Sequence, residues 1–141
     1  MGDPQSVDEW LLLAKQHEAT ARLAASDRVA CGQAPFHCGL GLECTLKAYI
    51  MFAERLNRWP DRSERPELYS HDLRKLMVMT GLQITDTDAV APAWHVMSQW
   101  DRNQAYAPQR TPRKVARSYV EAAFGDEGIA TWIRLTFLRH S

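Results

Sequence analysis

Five basic side chains and no acidic one fall in the run RNQAYAPQRTPRKVAR: Arg102, Arg110, Arg113, Lys114 and Arg117. In a chain whose 17 basic and 17 acidic residues cancel, such clustering is a local asymmetry, and its natural counterpart is phosphate. Arg113 and Arg117 lie four apart in a segment opened by Pro112, so a helix there sets both on one face. Tyr106 sits among them, an aromatic ring of the kind on which a base stacks. A solvated helix face balanced by acids from neighbouring helices has the same composition, and surface pairs of that kind contribute little.

Other chemistries find less support. The histidines are His17, His37, His71, His95 and His140. None sits in an HExxH pattern, no two are four apart on one helix, and no Glu-x-x-His pair occurs, so neither a metal centre nor a cofactor is expected. A Gly-x-Ser-x-Gly elbow and a phosphate-binding Walker loop are both absent. Gly39-Leu40-Gly41 lacks the third glycine and the preceding strand of a dinucleotide fingerprint. His37 and Cys38 are adjacent, which on a helix turns their side chains about 100° apart and spoils them as a nucleophile pair. Cys31, Cys38 and Cys44 match no zinc spacing and read as buried, reduced thiols. With no secretory signal and no long apolar run, the expected setting is the cytoplasm, away from any membrane.

Helices must position these groups. Ser6-Val7-Asp8-Glu9 is a capping box, and apolar residues then recur at helical spacing from Val7 to Val29, with Gly32 as the stop. A second long stripe runs from Pro35 through Leu42, Leu46, Tyr49, Ile50, Ala53 and Leu56. Gly39 and Gly41 weaken that helix by about 1 kcal/mol each, which points to a close approach by another helix or a ligand. Residues 57–69 carry two prolines and no apolar period, and read as a loop. Ser70 is the expected cap of a short third helix ending at Gly81, and Asp86 or Asp88 of a fourth bearing Trp94, Met97 and Trp100. Thr111-Pro112 opens a fifth with Val115, Tyr119 and Ala122 inward, and Asp126 a last one with Ile129, Trp132, Ile133 and Phe137 inward. The expected fold is all-α: one domain over residues 1–141, an antiparallel helical bundle with two long N-terminal helices and shorter helices packed across them.

Three segments resemble the HEPN superfamily, helical domains associated with nucleic acid in bacterial toxin–antitoxin and defence systems. They are Trp10 with Ala14 in the first helix, His37 followed by Glu43-Cys44-Thr45-Leu46-Lys47-Ala48 in the second, and Ser70-His71-Asp72-Leu73-Arg74-Lys75-Leu76 in the third. The second is similar to the family's E-x-x-LKA, the third to its H-x-L-x-x-L. The resemblance covers most of the chain, and implies a homodimer and supporting roles for His37, Glu43, Lys47 and His71. Catalytic members are metal-independent ribonucleases with an arginine, a polar residue and, a few positions on, a histidine. Arg102-Asn103 matches the first half, but Ala107, Pro108 and Gln109 occupy the histidine's positions. Tyr106 is the remaining acid–base group nearby, and a phenol with its usual pKa of about 10 is a poor base at neutral pH. The resemblance therefore implies a non-catalytic domain that binds RNA or a nucleotide through Arg102, Asn103, Tyr106, Arg110 and Arg113, with Lys114 and Arg117 adding charge, or that partners a nucleotidyltransferase. A ribonuclease built on Arg102, Asn103 and Tyr106 is the second expectation. A helical interaction module without nucleic acid is the third.

Overall fold

Ser6 opens the chain's first helix as its spacing demands: its hydroxyl accepts the Glu9 amide at 3.1 Å, and Glu9 Oε1 accepts the Gln5 amide at 3.2 Å. A computed structural model describes residues 2–103 and 111–139, all helix, turn or coil with no strand among them. The helices are α1 (Val7–Ala25), α2 (Ala34–Ala53), α3 (Leu73–Thr80), α4 (Ala91–Met97), α5 (Arg113–Phe124) and α6 (Ile129–Trp132), the last continuing as a wider π-type turn over Ile133–Leu138. None of them is long and apolar enough to cross a membrane.

Antiparallel α1 and α2 form the central pair, and α3, α5 and the C-terminal helix pack against α2. Thirteen of the twenty residues of α2 are buried, from Ala34 to Met51. A helix buried nearly all round must be wrapped by others. Its two glycines show how. A Cβ at Gly39 would overlap the Trp100 indole, and one at Gly41 would overlap the Phe124 ring. The close approach expected there is thus made by side chains of the segment after α4 and of α5. Trp100 is fixed further by its Nε1, which donates to the Pro35 carbonyl at 2.8 Å.

Several boundaries differ from the sequence expectation. Helix α1 stops at Ala25 rather than Val29, because Asp27 accepts the Val29 and Ala30 amides at 2.9 and 2.7 Å and turns the chain. Val29 is consequently exposed, and Gly32 lies within a 3-10 turn over Ala30–Gln33. Asp72, not Ser70, caps α3, accepting from the Arg74 and Lys75 amides, while the Ser70 hydroxyl accepts from Asp72. Asp88 caps a turn at Thr85, and α4 starts only at Ala91. Pro112 itself is the cap of α5, and Gly128 rather than Asp126 that of α6. The buried residues of α5 are Ala116, Val120, Ala122, Ala123 and Phe124; Ala122 is inward as expected and Tyr119 packs half-buried against the core, while Val115 is exposed. Trp132 and Phe137 are half-buried, edge to face at 4.9 Å. Gly81 ends α3 in the left-handed region, φ 74°, as a C-terminal glycine should.

Residues 57–69 form the expected connection, but it is not merely solvated. Trp59 is 2% exposed and Leu68 is fully buried. The Gln5 side chain accepts the Trp59 amide at 3.2 Å, and the Tyr69 hydroxyl donates to the Pro60 carbonyl at 2.8 Å. Trp10, Trp59 and Trp100 are buried, and Trp94 and Trp132 are half-buried.

Candidate phosphate-binding pocket

Glu43 and Lys47 share one turn of α2 and are both buried, with Lys47 Nζ 3.0 Å from Glu43 Oε2. A buried ion pair needs more than its partner to offset the loss of water. Here the ammonium lies 5.4 Å from the Trp10 ring centroid and 5.9 Å from that of Trp59, the range in which aromatic faces attract cations. The carboxylate gains a second donor: His71 Nδ1 stands 3.0 and 3.1 Å from its two oxygens. A carboxylate can only accept, so Nδ1 carries the proton and Nε2 is left as the ring's second hydrogen-bonding atom. His71, unlike its partners, is 46% exposed at the side chain.

That half-exposed imidazole lines an open pocket of about 780 Å³, together with Asp72 and Arg74 of the α3 start and with Gln99, Trp100, Asp101, Arg102 and Asn103. Helix α3 is anchored by the buried Leu73, Leu76 and Met77. The facing wall is set by Trp100 resting on Gly39, from which Asp101, Arg102 and Asn103 follow directly. Among the described residues neither the Arg74 nor the Arg102 guanidinium is paired with a carboxylate. Asp101 accepts the Asn103 amide at 2.9 Å, and Asp72 is engaged in capping α3. The pocket therefore offers an anion two guanidinia unpaired among the described residues and an amide side chain as donors, while the Glu43-held imidazole donates at Nε2 only when the ring is charged.

The sequence-derived site residues other than His37 divide into three groups. Arg102, Asn103 and His71 meet at the pocket, with Glu43 and Lys47 behind His71. Arg113, Lys114 and Arg117 are exposed on α5 and do not line it. Tyr106 and Arg110 lie outside the described residues. Arg74 was legible as part of the α3 motif but not as a site residue, because nothing local says that the α3 start faces Arg102.

His37 has a different partner. Its Nδ1 lies 3.0 Å from Nδ1 of His17 on α1, the rings stacked 5.3 Å apart. Only one of these nitrogens can carry the bridging proton. Burial holds both histidines below their ordinary value of 6.5, and for His17 the charge of His37 acts in the same direction while Glu43 opposes it. The unfolded chain, with the higher values, takes up protons first on acidification. Stability from this pair is thus complete above about pH 6.5 and declines as the pH falls through the folded-state values. We expect a lower urea midpoint at pH 5.5 than at pH 7.5, with a smaller difference in a His17→Gln variant; identical differences would dissociate the pair from the acid response. The cysteines are free and buried, and burial pushes the Cys38 and Cys44 thiols up to about 12, far from nucleophilic use at neutral pH.

Compared with known family models, curated proteins and solved structures, the chain matches none.

Proposed function

We propose that this helical domain binds a phosphate-bearing ligand, RNA or a nucleotide, in the pocket between the α3 start and Trp100–Asn103, and that it acts by binding rather than by catalysis. The observation that carries the reading is the meeting of His71, Arg74, Arg102 and Asn103 around one opening, with both guanidinia unpaired among the described residues. Planar guanidinium groups bind phosphate oxygens two at a time, and a guanidinium with no carboxylate partner among the described residues is available to do so. Arg113, Lys114 and Arg117 extend positive charge along α5, suited to the flanking phosphates of a longer RNA.

One observation favours the ribonuclease alternative. The imidazole lacking at positions 107–109 has a counterpart in His71, whose proton position Glu43 sets. An imidazole is the side chain best matched to proton transfer near neutral pH.

Binding of single-stranded RNA and of mononucleotides, measured by titration calorimetry from low to moderate salt, tests the proposal. Arg102→Glu is expected to weaken RNA binding by about tenfold or more and to reduce the salt slope by about one, as loss of one phosphate contact should. Absence of any salt-dependent binding by the parent protein would overturn the reading. Cleavage of RNA by the parent, abolished in His71→Ala and Arg102→Ala, would replace it with the ribonuclease.

A further inference from the structure

We infer that the pocket takes a terminal phosphate monoester rather than an internal phosphodiester, with the His71 imidazolium as the third donor beside Arg74 and Arg102. The inference rests on the reading of this pocket as a phosphate site, and specifies what that site selects.

The first observation is the charge on the walls. Arg74 and Arg102 line the pocket together with Asp72 and Asp101, so the fixed charges sum to about zero. A strand crossing the opening would set successive phosphates against both carboxylates, and like charges repel it at each step. A chain end inserts one anionic group between the guanidinia and leads the rest of the molecule out to solvent. The ligand's hydroxyls would then meet Asp72 and Asp101, whose oxygens are acceptors.

The second observation is the tethering of His71. Glu43 holds Nδ1 from the buried side, and Nε2 has no partner among the described residues. In its charged form the ring donates at both nitrogens. The groups around it are Glu43 and Lys47 on α2, Asp72 and Arg74 at the α3 start, and Asp101 and Arg102 on the facing segment. Glu43 provides the counter-charge at Nδ1, so charging the ring leaves Nε2–H for the ligand. Three cationic donors match the three peripheral oxygens of a monoester, which carries up to two negative charges. An internal diester has two such oxygens and one charge.

A 5′-mononucleotide and a phosphorylated RNA end share this chemistry. Calorimetry with the full chain would compare adenosine 5′-monophosphate with one short oligoadenylate in three forms, 5′-phosphorylated, 3′-phosphorylated and unphosphorylated. At least one phosphorylated form is expected to bind about tenfold more tightly than the unphosphorylated one. Mononucleotide affinity within a few-fold of the best oligomer identifies a free nucleotide as the natural source, and a much tighter oligomer identifies an RNA end. His71→Gln keeps a donor for Glu43 but cannot charge. Its affinity should fall about tenfold for the phosphorylated forms and hardly at all for the unphosphorylated oligomer. Equal binding of phosphorylated and unphosphorylated oligomers would overturn the selection of an end while leaving the phosphate pocket intact. Unchanged affinity of His71→Gln for the phosphorylated forms would overturn the role of the imidazolium. No binding of any probe would overturn both this inference and the reading beneath it.

Discussion

Replacing Glu43 with alanine is expected to lower the unfolding free energy by about 3–5 kcal/mol, the usual consequence of stranding one member of a buried ion pair. The side chains of Glu43 and Lys47 are 7% and 5% exposed, so water cannot take over from the missing carboxylate. The two indoles beside the ammonium soften the loss but carry no negative charge. His71 loses its anchor in the same substitution, and phosphate binding should fall with it. Against a typical total of about 5–15 kcal/mol, such a loss threatens folding itself. Glu43→Gln is therefore the companion: it preserves shape and an acceptor for Lys47, and should melt between parent and alanine variant. The double change Glu43→Leu with Lys47→Met removes both charges and should recover much of the stability. Urea denaturation followed by circular dichroism measures all three. A loss below about 1 kcal/mol for Glu43→Ala would place the pair in the class of exposed helix pairs and contradict its burial.

The second large effect is expected at Gly39. Elsewhere in a helix, glycine to alanine adds about 1 kcal/mol of stability through helix propensity. Here the added methyl would occupy the space of the Trp100 indole, which is itself 8% exposed and bonded to Pro35. The indole has to leave its seat, so overpacking of about 1–3 kcal/mol outweighs the gain, and Gly39→Val should be worse. The functional consequence is the more diagnostic one. Asp101, Arg102 and Asn103 follow Trp100 directly, so displacing the ring moves one wall of the pocket. Gly39→Ala should reduce phosphate affinity although residue 39 does not line the opening. A variant that melts at or above the parent temperature with unchanged binding would sever the link between this glycine and the site.

Much of the architecture was legible locally. Ser6 with Glu9 and Gly81 at the end of α3 act through groups only a few residues away, so the sequence states them almost completely. The stripe of α2 announced a second long helix with an inward face, and its glycines announced a close neighbour; burial nearly all round appeared only in the fold. Errors came where two nearby residues compete for one local role. Ser70 and Asp72 could both cap α3, and the one whose carboxylate reaches two amides prevails. Val29 and Val115 fit an apolar period by type, but the turn at Asp27 ends α1 before Val29, and α5 buries Ala116, Val120 and Ala123 and leaves Val115 outside. Trp59 sits in a segment with no period at all, and it is buried beside Trp10 of α1, Lys47 of α2 and Tyr69.

The candidate site divides the same way. Glu43 with Lys47 follows from helical spacing alone, and Arg102 with Asn103 stood out as the start of an acid-free run. That the pair would be buried, and that His71 would bond Glu43 across 28 positions of sequence, depended on how α3 packs against α2. The meeting of His71 and Arg74 with Arg102 depended on Trp100 seating on Gly39, one of the two places on α2 without a Cβ. Caps and stripes are settled by contacts within a turn or two of helix. The pocket is settled by which helices touch, and that is decided by the summed burial of surfaces far apart in the chain.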